Sequence, residues 1–134
     1  MSAGRASFLR AIHGTLSEDS ELGDLIGGRI FDRVPDRAPL PYITYGTLRS
    51  APLDAEGVEE HALTIDCWSR EHGRREAETI LARVIALLLR DVPTLDAARA
   101  VSLNLVGSEI AADRDLDLEH GIARLRAVTQ PIQD

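Results

Sequence analysis

Four histidines, a single cysteine and a run of alternating carboxylates are the side chains of this chain best suited to bind a metal or attack a substrate. Their spacing supports neither chemistry. His61 and His72 flank one predicted strand at opposite ends, His13 falls on a predicted helix and His120 at a predicted turn. None forms the HxxxH, CxxC or HExxH spacing that gathers ligands on one face, so they read as surface histidines. Cys67 has no base close in sequence and shares the apolar parity of its strand, which marks a buried structural thiol. Asp113, Asp115, Asp117 and Glu119 alternate like a calcium loop but lack its central glycine and closing glutamate spacing, so a solvated loop is expected. Gly27-Gly28 lacks the further glycines of a phosphate cradle. No catalytic, cofactor-binding or metal-binding residue is therefore assigned.

Charge and composition narrow the class. The formal net charge is −7, against a general nucleic-acid binder, which needs clustered cations for phosphate. An acidic wall can still serve DNA traffic, because it repels the backbone and prevents sticking. All 15 cations are arginine. Genomic base composition explains that bias, and so does a need for planar guanidinium forks at subunit contacts. Cys67 can form no internal disulfide, which fits a reducing cytoplasm. Met1–Gly14 carries Arg5 and Arg10 around a very short apolar patch, neither a signal peptide nor a membrane span, and a soluble intracellular product is expected.

These residues need elements to position them. At 134 residues one domain is expected, burying roughly 65–70% of the unfolded chain's surface without metal or disulfide. Aromatics make up only 4%, so aliphatic side chains must fill the core. Phe8, Leu9, Ile12 and Leu16 share a stripe that predicts a helix over 3–18, with a short helical turn near Glu21–Ile26 stopped by Gly27-Gly28. Arg29–Val34 predicts a short strand ended by Pro35, and residues 35–41 a proline-stiffened arm. Tyr42–Leu48 and His61–Ser69 predict strands joined by an acidic connection from Ser50 to Glu60. Arg74–Arg90 predicts the strongest helix, with Ala77, Ile80, Leu81, Val84, Leu87 and Leu88 on one stripe and Pro93 beyond its end.

Ala100–Ile110 and Gly121–Thr129 predict the last two strands, separated by a second acidic loop at Asp113–Glu119. Val101, Leu103 and Leu105 are in phase and Ile110 is not, so a bulge at Gly107 is expected to bring all four to one side. The fold class is α+β: about five strands in a small antiparallel or mixed sheet, packed against two α-helices on one face in the order αβββαββ. The uncovered face then presents Thr64, Asp66, Trp68, Ser102, Asn104, Arg124 and Arg126. The two arginines stand roughly 7 Å apart along their strand. Tryptophan and arginine are the preferred anchors of protein interfaces, which marks this face for contact with a neighbouring subunit.

Several segments in order carry a family resemblance: Arg29–Pro35, Pro39–Gly46, Leu63–Arg70, Gly73–Ala77 and His120–Pro131. Together they resemble the small tail-completion proteins of long-tailed phages, the ring-forming tail terminators. The arginine-rich, lysine-free style is closest to members encoded by bacterial gene transfer agents. The resemblance implies a structural protein and no enzyme. It implies a homohexameric ring at the head-proximal end of the tail tube, which stops tube polymerisation and docks the head-side stopper or neck. Its implied partners are other copies of itself, the tube protein and the neck protein. DNA passes through the lumen unbound, and neither a cofactor nor a membrane is involved. Assembly would take place in the bacterial cytoplasm and end in the particle.

Trp68, Arg70, Arg124 and Arg126 are the candidate subunit interface; Asp54, Glu56, Glu59, Asp113, Asp115 and Asp117 are the candidate tube, neck or lumen contacts. A head–tail adaptor, a stopper or another minor tail component is the nearer alternative. A small ligand-binding domain or enzyme is the more distant one, since no cluster of converging polar groups is visible.

Overall fold

The computed structural model describes residues 3–53, 55–70 and 72–132. Eight elements follow one another: α1 (Ala3–Ser17), α2 (Ser20–Ile26), β1 (Ile30–Phe31), β2 (Tyr42–Pro52), β3 (Glu59–Arg70), α3 (Arg74–Arg90), β4 (Arg99–Asp113) and β5 (Leu118–Gln130). The expected short turn of helix is a third helix, α2. Asp19 caps it by accepting from the Leu22 amide at 2.9 Å, and Gly27 ends it in the left-handed region at φ 61°. The arginine fork of Arg83 then ties this cap to α3, reaching both Asp19 carboxylate oxygens at 2.7 and 3.0 Å.

The strands form one mixed sheet in the order β1-β2-β3-β5-β4, in which only β1 pairs in parallel. β1 holds just two residues, and the arm behind Pro35 carries the chain away before any longer ladder forms. Every long strand outruns its sequence expectation. β2 continues to Pro52 and β3 begins at Glu59, while β4 and β5 run to Asp113 and from Leu118. Both acidic connections are accordingly shorter than expected, at 53–58 and 114–117.

All three helices pack on one face of the sheet. Phe8, Ile12 and Leu16 of α1 and Ile80, Val84 and Leu88 of α3 close over Leu63, Ile65 and Cys67 of β3 and Ala123, Leu125 and Ala127 of β5. The predicted apolar stripes are thus the ones buried. Burial raises the Cys67 thiol to about 12, far from a nucleophile's range.

The bulge beside Gly107 is present: the register jumps between Leu105 and Gly107, and Leu103, Leu105 and Ile110 all pack against the core. Val101 does not join them. A second irregularity between Ala100 and Ser102 leaves it as the extra residue, half exposed on the edge strand.

His61 also departs from the surface reading, being wholly buried on the core face. Its ring stacks on Phe8 at 5.6 Å between centroids. Nδ1 lies 2.6 Å from Ser50 Oγ and Nε2 lies 2.8 Å from Thr129 Oγ1. Ser50 Oγ also accepts from Arg5 Nε, which joins this contact to α1. Burial lowers the pKa of His61, keeping the ring neutral.

Candidate functional site

Four long antiparallel strands leave the face opposite the helices uncovered, and period-two alternation decides what it displays. Cross-strand pairing sets Trp68 opposite His120 and opposite Tyr42, Asp66 opposite Thr44, and Thr64 opposite Arg124. Thr64, Asp66, Trp68 and Arg124 were expected on this face; Tyr42 and Thr44 join it through the register of β2, and His120 was read as a turn residue. It lies within β5 because the ladder runs to Leu118. Its parity with Arg124 and Arg126 was the available signal.

Trp68 and His120 stack at 3.8 Å with a 9° interplanar angle. The Trp68 indole N–H donates to Thr44 Oγ1 at 3.0 Å, and His120 Nε2 meets Asp66 Oδ1 at 2.7 Å. This chain of contacts fixes the indole as a rigid plate. Gly46 on β2 makes room for it: a Cβ there would come within 2.6 Å of Asp66 Oδ2 and 2.9 Å of Thr64 Oγ1. Trp68, Val34, Tyr42, Leu116 and Leu118 rim an apolar hollow at this end of the sheet.

The arginines stand farther along the same face. Arg124 Nη2 donates to Glu109 Oε1 on β4 at 2.6 Å, and Arg126 Nη2 to Glu60 Oε2 on β3 at 2.8 Å. Each guanidinium is about half exposed, so each keeps donors free for a partner. Arg70 ends β3 with Nε 3.6 Å from Glu76 Oε1 and is mostly exposed. The four candidate interface residues therefore share one strand pair, with Trp68 and Arg70 at one end and Arg124 and Arg126 near the middle.

The candidate acidic contacts divide between two opposite ends of the sheet. Asp54 lies outside the described residues. Glu56 is exposed in the 53–58 loop, and Glu59 is half-buried where β3 begins. At the other end, Asp113 accepts from the Leu116 amide at 3.2 Å and shapes the β4–β5 hairpin. Asp115 and Asp117 are exposed on that hairpin, and Asp117 occupies the left-handed region at φ 54°. Glu119, expected in the solvated loop, is instead buried in β5. Its Oε2 makes no hydrogen bond among the described residues, and Arg74 Nε stands 3.9 Å away.

Among the described residues no three His, Cys, Asp or Glu side chains converge as a metal site, and no helix is long and apolar enough to cross a membrane. What the face offers is contact chemistry: a fixed aromatic plate, half-solvated guanidinium groups, and carboxylates on projecting loops.

Comparison with known proteins returns a family match in sequence and a shared fold in a solved structure. The model of the family described as "Tail completion protein gp17" matches residues 10–130. A chain in a solved structure described as "Virion of native gene transfer agent (GTA) particle" superposes with a TM-score of 0.82 at 23% identity, covering 93% of this chain and 96% of that one. No curated protein matches in sequence.

Proposed function

We propose, from the premise that this chain belongs to the tail completion protein gp17 family, that it is the tail terminator of a phage-like particle. Copies of it form a ring, a hexamer, at the head-proximal end of the tail tube. The ring stops polymerisation, joins the tail to the neck and lets DNA pass. The observation that carries this reading is the family match over residues 10–130, supported by the fold shared with a chain of a gene transfer agent virion.

The physical task is asymmetric. A tube of stacked rings grows because each ring exposes the surface that the next one binds. A terminator matches that surface on one side and presents a different one on the other, so the heterologous stack ends. A single folded unit with loops at both ends of its sheet supplies two such different surfaces. At least one acidic loop, 53–58 or 114–117, faces the channel, where carboxylates keep the phosphate backbone from adhering.

Electron microscopy of particles made without this protein tests the role. Overlong or headless tails support a terminator. Normal-length tails detached from leaking heads would transfer the role to a stopper or adaptor. A particle map with both acidic loops on the outer rim would remove the channel assignment.

A further inference from the structure

The middle of the open face contains a hollow that shares Arg124 with the candidate interface and has no occupant assigned so far. On the core side, Leu48, Leu63, Leu125 and Leu105 form one continuous row across β2, β3, β5 and β4. Immediately beside that row both outer strands lose register, β2 between Tyr45 and Leu48 and β4 between Leu105 and Gly107. Two irregularities at one level bend the outer strands together and re-aim their side chains. The result is a hollow of about 300 Å³ across the open face, floored by Ala62 and walled by Thr47, Arg49, Val106 and Arg124. Val106 is 67% exposed there. Arg124 is compensated by Glu109, whereas Arg49 is exposed and makes no ion pair among the described residues.

The complementary shape is elsewhere on the same molecule. Leu116, on the outer rim of the Trp68 hollow, keeps 58% of its surface exposed on the β4–β5 hairpin, between the exposed carboxylates of Asp115 and Asp117. An apolar knob flanked by anions matches an apolar hollow flanked by an exposed guanidinium that has no ion pair among the described residues. Knob and hollow are separate patches, so they can pair reciprocally in a two-fold dimer or link successive copies, and the ring reading selects the second. They generate a head-to-tail series that closes when the rotation permits.

We infer that Leu116 of one copy, with Asp115 and Asp117, seats in the Ala62–Val106 hollow of the next, beside Arg49, and that this contact is the seam of the ring. The inference rests on the ring reading of the family and names the surfaces that close it. It places the 114–117 hairpin in the seam, which leaves the 53–58 loop as the acidic segment for the channel. Strand addition along the edge is the poorer route. β4 is irregular at Val101 and Val106, so another strand could not match its hydrogen-bond spacing.

Cysteine cross-linking tests the seam, and buried Cys67 does not interfere. Particles carrying L116C together with V106C are oxidised with copper phenanthroline and run on a denaturing gel. A ladder of covalent multimers is expected, ending at the ring size, with no ladder from either single variant. Incorporated protein that stays uncross-linked would overturn the seam, as would dimers from L116C alone or a double-variant ladder that stops at dimers, each of which signals a two-fold contact. As a second route, R49D alone and D115R/D117R alone should each cut incorporation at least tenfold, and their combination should restore it. Folded variants without such restoration would also overturn the seam. Failure of the underlying reading looks different: tails of unchanged length without the protein, while purified L116C/V106C still cross-links into chains.

Discussion

The two faces of this sheet are built from the same strands, yet they are held by different physics. On the covered face, wholly buried aliphatic side chains of β3 and β5 meet α1 and α3, and stability comes from apolar area removed from water. On the open face, a stacked indole and imidazole and two half-exposed ion pairs fix side-chain positions while adding little to stability. Alternation along a strand therefore separates two duties, folding on one side and recognition on the other. Substitutions should separate them in the same way.

The largest effect on stability is expected on the covered face. Phe8→Ala removes a fully buried ring and should cost about 3–5 kcal/mol, read as a lower urea midpoint. An equal loss from any open-face variant would end the distinction drawn here.

His61 sharpens it through pH. Its folded pKa lies below the ordinary histidine value of 6.5, so the unfolded chain binds more protons in acid. The contribution of neutral His61 is complete above pH 6.5 and is lost as pH falls through the depressed folded value. Asp19 behaves as a carboxylate held at about 2 by the Arg83 fork and the Leu22 amide, and Arg10 with Ser7 holds Asp96 low as well. Their contributions are present above the ordinary 3.8 and fade only in stronger acid. Melting curves of wild type and His61→Leu between pH 7 and 5 should therefore diverge, the wild type losing more stability toward acid than the variant. Parallel curves would contradict the buried neutral ring.

Trp68→Ala comes next. The stack with His120 is worth about 0.5–1.5 kcal/mol beyond area burial, so calorimetry should show a modest fall in melting temperature. Incorporation into particles should fall far more. The smallest change in stability is expected for Arg124→Glu with Arg126→Glu. Each exposed pair contributes about 0–1 kcal/mol, so the monomer should melt nearly as wild type while assembly fails. Unchanged particle yield would make this surface plain solvent.

Much of the covered face was legible in the sequence. The helix predicted over Arg74–Arg90 has those bounds, because an unbroken apolar stripe, a terminal arginine and Pro93 all act locally. Strand ends were less legible. Glu59, Glu60 and Ala111–Asp113 are polar or small, yet they pair because a partner strand stands opposite, which local pattern does not reveal. The Gly107 bulge followed from a break in parity, whereas the one at Val101 broke no visible pattern and hid that residue's exposure.

The open face was read correctly as to membership and poorly as to partnership. Trp68, Arg124 and Arg126 fell into place by alternation, but their pairing with His120, Glu109 and Glu60 depends on register across strands distant in sequence. His61 was misread because its polarity outweighed a parity shared with Leu63 and Ile65.

That buried imidazole has one more consequence. It touches a hydroxyl on β2 and another on β5, so it spans three adjacent strands. Sliding β3 by one position would turn the ring out to water and leave Ser50 and Thr129 without their partner, while oily neighbours alone would tolerate the slip far better. The imidazole thus works as a keying pin for alignment, and every copy entering an assembly presents its outward side chains at the same height.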